Sequence, residues 1–271
     1  MVSQRTFWYG PRVHPTPPAP LDPPPLPRDA ALFLDFDGTL APIAPRPQDV
    51  HLPSWVVPTL QRLRQTLGGA VIIVSGRPLA ELDLFLAPLR LPAAGVHGVE
   101  RRLADGRIRV HSGTPPAAVA AAAQALVAAH RGLLLENKPG GLALHYRLSP
   151  ELEALCLQTI EAAVAGCPDW QALRGKCVVE VKQRRVSKGA VVRAFLAEPA
   201  FARRVPVFVG DDATDEDGIR EVQTAGGFGV KVGEAASIAR HRLPDVQAVS
   251  RWLVGSVEAL DAAAPPARGA A

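Results

Sequence analysis

Three short apolar runs, each breaking off at a polar side chain, set the strongest limit on how this chain folds. Leu32 to Leu34 runs into Asp35, Ala70 to Val74 into Ser75, and Val205 to Val209 into Gly210-Asp211. Apolar runs of this length, bounded by turn residues, predict strands buried on both faces. Helical stretches alternate with them at Ser54 to Leu67, Leu79 to Leu86 and Lys188 to Leu196, and that alternation predicts an α/β fold, a parallel sheet with helices on both faces. Open sheets of this kind bind ligands beyond the carboxyl ends of their strands, where the chain order reverses. Asp35, Ser75 and Asp211 are therefore expected at one point despite their separation in sequence.

Between the two halves the pattern changes. Residues 96–110, VHGVERRLADGRIRV, read as a hairpin with Asp105-Gly106 as a two-residue turn, and the Arg101-Arg102 pair reads as surface. An Ala-rich helix at Pro116 to His130 is followed by two short strands, a helix at Pro150 to Ala165, and strands at Trp170 to Leu173 and Lys176 to Val181. Helix, two strands, helix, two strands is a self-contained layered unit, read as an insertion. The parallel pattern then resumes, with an apolar stretch at Gly227 to Val232 and a last helix at Val246 to Leu260. Nine prolines between Pro11 and Pro27 mark the start as an extended tail. The expected organisation is a Pro-rich tail at 1–30, a discontinuous catalytic core at 31–112 and 186–262, an inserted α+β cap at 113–185, and a frayed end at 263–271.

The basic residues behind a formal charge of +4 are scattered rather than gathered in a stripe, which argues against nucleic-acid binding. No apolar run approaches the ~20 residues of a membrane span, and the start lacks a secretory pattern, so a cytoplasmic chain with no membrane partner is expected. The spacing of Cys156, Cys167 and Cys177 fits no metal finger, and reduced structural thiols are expected. Sequence leaves the oligomeric state open, with a monomer favoured.

Asp35-Phe36-Asp37-Gly38 poses a charge problem, because two close carboxylates raise each other's pKa unless a cation sits between them. Oxygen ligands of this type suit Mg²⁺, which is held by one or two carboxylates plus substrate phosphate, and no His/Cys cluster competes for zinc. Asp37 falls on the same side of the chain as Asp35. One carboxylate of the pair is suited to attack phosphorus and its neighbour to handle the leaving-group proton, while Lys188, at a helix start, adds a point charge for phosphoryl oxygens. Plainer readings stand beside these. Asp35 and Asp37 fit a solvated turn, Ser75 to Pro78 a strand-to-helix turn, and Asp211 to Asp217 a helix cap; Glu216 and Asp217 are left outside the site.

The segments DFDGTL, SGR, SKG and GDDATDED, in that order, resemble the four motifs of the haloacid dehalogenase superfamily of phosphohydrolases. Within it, GVHGVE (95–100), ENKPGGLALHYR (136–147) and GKCVVEV (175–181) resemble the sugar-recognition segments of the trehalose-6-phosphate phosphatase family. The resemblance spans residues 31–260 and implies a Rossmann-like, doubly wound core with an inserted cap. It implies Asp35 as nucleophile, Asp37 as general acid and base, and Mg²⁺ on Asp35, the Asp37 carbonyl and Asp211. Ser75 and Lys188, with Gly76 and Arg77, would hold the phosphoryl group, and Asp212 and Asp215 would support the metal or Lys188. Glu136, Lys138, Glu180, His97, Glu100, His145 and Arg147 would read the disaccharide hydroxyls, although His97 also fits a core histidine and Glu136, Lys138 and Glu180 fit exposed strand charges. The implied reaction is hydrolysis of trehalose 6-phosphate through an aspartyl-phosphate, the last step of trehalose biosynthesis, with trehalose-6-phosphate synthase as a candidate partner. Alternatives are a phosphatase for sucrose phosphate or mannosyl-phosphoglycerate, a mutase, and a non-catalytic sugar-phosphate sensor. One departure is Gln183 to Ser187, where the family commonly carries a Pro-x-Gly turn.

Overall fold

A computed structural model of the chain describes residues 21–263 except 45, 112, 139 and 176. Much of the proline-rich tail (1–20) and the C-terminal end (264–271) therefore lie outside the described residues. The first part of the chain forms β1 (Ala30–Leu34), α1 (Val56–Thr66), β2 (Val71–Val74), α2 (Leu79–Leu86), β3 (Ala93–Gly95), β4 (Glu100–Arg102) and β5 (Ile108–Val110). The middle forms α3 (Ala117–Ala129), β6 (Leu134–Lys138), β7 (Gly141–His145), α4 (Glu153–Ala165), β8 (Trp170–Gly175) and β9 (Val178–Gln183). The last part forms α5 (Lys188–Leu196), β10 (Val205–Gly210), α6 (Asp215–Thr224), β11 (Phe228–Val232), β12 (His241–Leu243) and α7 (Val246–Ala262).

Eight strands build one sheet in the order β12-β11-β10-β1-β2-β3-β4-β5, parallel from β12 to β3 and antiparallel at β4 and β5. Every residue of β1 and β2 is buried, as expected of strands covered on both faces. Chain order reverses at β1, which lies between β2 and β10, with Leu34 in register with both Ile73 and Val209. The three strands that end in Asp35, Ser75 and Asp211 are thus adjacent, and their carboxyl ends lie level. Phe33 anchors the underlying core, its ring 6.2 Å from Phe195 and 6.5 Å from Phe208.

The second sheet, β6-β7-β9-β8, is antiparallel throughout and has its own apolar cluster. Leu142, Leu144, Val179 and Val181 face α3 and α4, which contribute Val119, Ala123, Cys156 and Ile160. Strand alternation sends their sequence neighbours Glu136, Lys138, Glu180 and Lys182 to the other face. The three cysteines are free. Among the described residues no helix is long and apolar enough to cross a membrane.

Three features differ from the sequence reading. The hairpin turn is longer than two residues: Arg102 pairs with Ile108, and Gly106, at φ +84°, closes a turn whose N–H bonds the Leu103 carbonyl. Arg101 and Arg102 are buried rather than exposed. Arg102 spans from the Leu91 carbonyl to Asp83, and Arg101 lies over the Phe195 ring. Third, residues 21–29, assigned to the tail, pack on the core: Leu26 is buried, its N–H bonds Ser256 Oγ, and Trp252 Nε1 bonds the Pro24 carbonyl.

Candidate active site

The loop after β1 is shaped around the carboxyl end of β10. Gly38 has φ +83°, and a Cβ there would lie 2.1 Å from Asp211 Oδ2, so this position admits only glycine. The close approach brings oxygens of Asp35, Asp211 and Asp215 within 4.8 Å of one another. Lys188, the first residue of α5, is 2% exposed and donates to Asp35 Oδ1 at 2.7 Å and to Asp215 Oδ1 at 2.6 Å. Ser187 sets the start of that helix, its Oγ accepting from the Ala190 N–H.

The acidic run after β10 divides its tasks. Asp212 Oδ1 accepts from the backbone N–H groups of Thr214 and Asp215 and from Thr214 Oγ1, capping α6, while Asp215 turns inward to Lys188. Glu216 accepts from the Ile238 N–H and Asp217 pairs with Arg220, both away from the cluster. Lys231, almost fully buried on β11, donates to the carbonyl oxygens of Asp211 and Asp212 and so holds the loop from beneath. Nothing in the sequence marked Lys231, a lone lysine in an apolar strand.

These contacts leave an excess of negative charge: Asp35, Asp211, Asp212 and Asp215 face Lys188 and Lys231. Burial pushes Asp35 up to about 7, with Lys188 opposing and the charges of Asp211 and Asp212 adding to the rise. Burial likewise lifts Asp211 to about 6, reinforced by Asp215 and Asp212. At Asp212 burial is outweighed by Lys188 and the Thr214 and Asp215 hydrogen bonds, and the pKa falls to about 2. Lys188 is held firmly protonated, since Asp35 and Asp215 override the cost of burial. An all-oxygen cluster with surplus negative charge and no His or Cys fits a hard divalent cation.

Beside this cluster, Asp37 accepts two hydrogen bonds from Arg77, Nε to Oδ2 at 2.7 Å and Nη2 to Oδ1 at 2.8 Å. Arg77 also reaches Glu81 and lies over the rings of Phe36 and Phe85. The fully buried Ser75 accepts from the Arg77 N–H through Oγ. Gly76 has no room for a side chain, because a Cβ would lie 2.9 Å from the His97 imidazole. His97 belongs to a turn in which Val96 and His97 both have positive φ, 49° and 55°, a strained arrangement for non-glycine residues. Backbone bonds from Val96 N–H to the Arg77 carbonyl and from His97 N–H to the Ser75 carbonyl hold it in place. Burial and the charges of Lys182 and Lys188 push His97 down to about 4, and its buried Nδ1 has no partner among the described residues.

A cavity of about 280 Å³ separates this turn from the polar face of the second sheet, lined by Gly76, His97, Glu136, Lys138, Glu180 and Lys182 among others. Lys138 Nζ donates to Glu180 Oε1 at 2.7 Å, and at Glu180 that bond outweighs burial and lowers the pKa. Next to the cavity lies a groove of about 560 Å³ lined by Asp37, Asp211 and Asp212, and Gly76, Pro78 and Glu81 line both.

The remaining sequence candidates lie elsewhere. Glu100 accepts from the Leu79 N–H at 2.8 Å and so caps α2. His145 contacts Glu136 at 2.9 Å from the far end of β7, outside the cavity lining, and Arg147 lies in an exposed turn beyond it. Arg184 and Arg185, in the unusual loop before α5, are exposed. Lys182 lines the cavity although the sequence reading passed over it.

Residues 33–247 match the trehalose-phosphatase family model. The chain belongs to the trehalose-phosphatase family. It is 41% identical over 227 residues to trehalose-6-phosphate phosphatase of Escherichia coli, covering 82% of this chain and 85% of that protein. It is 39% identical over 236 residues to a probable trehalose-phosphate phosphatase of Sinorhizobium fredii, covering 85% and 88%. Among solved structures, trehalose-6-phosphate phosphatase of Aspergillus fumigatus superposes with a TM-score of 0.66 at 27% identity, covering 85% of this chain and 93% of that one. A haloacid dehalogenase-like hydrolase of B. subtilis, 14% identical with a TM-score of 0.61, shares the fold.

Proposed function

We propose that this chain is a Mg²⁺-dependent phosphatase that converts trehalose 6-phosphate to trehalose and phosphate. The observation that carries the reading is the adjacency of two unlike spaces that share the wall Gly76, Pro78 and Glu81: an acidic, cation-seeking groove at the strand ends, and a cavity lined by Glu136, Lys138 and Glu180. A phosphate ester of a neutral sugar needs both. The names of the relatives, a trehalose-6-phosphate phosphatase at 41% identity and a probable trehalose-phosphate phosphatase at 39%, favour trehalose over the other sugar esters.

In this reading Asp35 attacks phosphorus, forming an aspartyl-phosphate as the bond to the sugar oxygen breaks, and Asp37 supplies the proton that oxygen needs. Asp37 then takes a proton from water as it attacks the phosphoenzyme, returning Asp35 and releasing phosphate. Arg77 fixes Asp37 through its two hydrogen bonds, Lys188 fixes Asp35 and neutralises charge, and Ser75 completes the phosphoryl pocket. Asp35 and Asp211 would hold Mg²⁺ together with the Asp37 carbonyl, with Asp212 and Asp215 supporting. Bound Mg²⁺ supplies the positive charge that lets the carboxylates stay ionised beside the substrate phosphate. The unit at 113–185 acts as a cap that excludes water and reads sugar hydroxyls, and the core spans 31–112 and 186–262. A cytoplasmic monomer acting after trehalose-6-phosphate synthase completes the proposal.

Phosphate release from trehalose 6-phosphate, sucrose 6-phosphate, glucose 6-phosphate and an aryl phosphate, each with Mg²⁺ and with EDTA, tests this. A metal-dependent preference for the trehalose ester is expected; equal turnover of all four removes the sugar assignment, and no turnover favours the sensor alternative. Saturating Mg²⁺ is also expected to raise the melting temperature. At 100 times its Kd a ligand of the native state adds about 2.7 kcal/mol, or roughly 5–10 °C for a chain of this size. An unchanged melting temperature would speak against a cation site in the cluster.

Glu180→Ala unpairs Lys138 and removes an acceptor for hydroxyls. Turnover of trehalose 6-phosphate is expected to fall about 10²-fold or more, against less than about fivefold for the aryl ester, following the ~10⁴ penalties seen where hydroxyl-reading groups lose their partner. Equal losses on both substrates would count against a cap role for Glu180.

A further inference from the structure

One cation in the cavity is left without a task by the assignments above. Lys182 on β9 lines the cavity, and strand alternation puts it on the same face as Glu180. Its ammonium has no hydrogen bond or ion pair among the described residues, because the nearest carboxylates are engaged elsewhere. Glu180 Oε1 accepts from Lys138 at 2.7 Å, and Asp217 pairs with Arg220 at 3.0 Å. A half-buried charge without a partner is costly, and burial draws the Lys182 pKa down while the more distant Glu180, Asp217 and Asp212 oppose the fall. On the facing wall the one carboxylate in the lining among the described residues, Glu81, pairs with Arg77 at 3.1 Å, and His97 has no anionic form to offer. Lys182 lies within electrostatic reach of Lys188 and Asp212, and so of the space where a phosphoryl group would sit.

We propose that Lys182 is a substrate-binding cation, carried by the cap, that seats the phosphate ester itself rather than the sugar. This rests on the phosphatase reading above. The anion that the protein withholds from Lys182 arrives with the substrate, as the charge of a phosphate monoester. The neutral sugar product leaves the lysine unpartnered again, so the cap grips the ester and releases the alcohol. Lys138 is not equivalent, because Glu180 already neutralises it.

The test compares two constants in one enzyme: KM for trehalose 6-phosphate and the inhibition constant of trehalose, measured for wild type, Lys182→Met and Lys182→Arg with Mg²⁺. Lys182→Met is expected to raise KM at least tenfold while the trehalose constant stays within twofold, and Lys182→Arg is expected to bring KM back within about threefold of wild type. Should the Met variant not fold, Lys182→Gln takes its place. A KM within twofold of wild type overturns the proposal, as does a parallel rise in both constants, which would make Lys182 a sugar contact or a support for the cap. Absence of trehalose 6-phosphate turnover in the wild type removes the phosphatase reading and this proposal with it, whereas normal wild-type turnover with an indifferent Lys182 variant removes this proposal alone.

Discussion

Asp35→Asn is expected to lower phosphate release from trehalose 6-phosphate by at least about 10⁴-fold, roughly 5 kcal/mol of barrier, without unfolding the chain. The substitution keeps side-chain shape but removes the nucleophilic oxygen, and phosphate monoesters react so slowly unaided that little background turnover remains. Stability is expected to hold or rise. Asp35 is one of three carboxylates whose oxygens crowd within 4.8 Å, and burial and its acidic neighbours already lift its pKa to about 7. Removing its charge relieves repulsion that the lysines only partly offset. Phosphate release and thermal melting, measured together, check both halves. Turnover above about one hundredth of wild type would take the nucleophile role from Asp35.

The opposite pairing of effects is expected at Lys188→Met, which should cost both activity and fold. Lys188 is the cation shared by Asp35 and Asp215, at 2.7 and 2.6 Å, with its own side chain 2% exposed. Breaking a buried ion pair from one side costs about 3–5 kcal/mol because the partner charge is left unpaired, and for a chain of this length that is a fall in melting temperature of roughly 10 °C. Turnover should drop at least about 10³-fold, since an electrostatic donor aimed at developing charge is commonly worth 10²–10³ and Asp35 also loses its anchor. Mg²⁺ should restore part of the lost melting temperature but little of the turnover. A variant that melts as wild type does would show that Lys188 bears little of the electrostatic load in the cluster.

The core was legible because its signals are periodic and repeated. Buried parallel strands leave continuous apolar runs, and the first polar residue after each run marks the strand end, which is how Asp35, Ser75 and Asp211 announced a common location. Short or solitary features carried no such signal. β3 and β12 are three residues each, too short for a pattern. Lys182 and Lys231 are single lysines in strands, and burial decides their meaning only after the sheets assemble. Arg101 and Arg102 read as surface because their type is usually exposed, yet Asp83, the Leu91 carbonyl and the Phe195 ring receive them. Glu100 lay inside a recognisable segment, but its partner, the Leu79 N–H, comes from a helix 21 residues earlier in the chain.

The strained turn at Val96 and His97 has a consequence for redesign. Its two backbone N–H groups are tied to the carbonyls of Ser75 and Arg77, and the His97 ring fills the space that any side chain on Gly76 would need. The loop at 75–78 and the turn that edges the cavity are therefore one mechanical part, and neither is expected to transplant alone. A chimera that imports another sugar preference through the cap strands has to import residues 75–78 and 95–98 as a matched set. Swapping the cap by itself would place a new lock over an old keyhole whose depth is set from below.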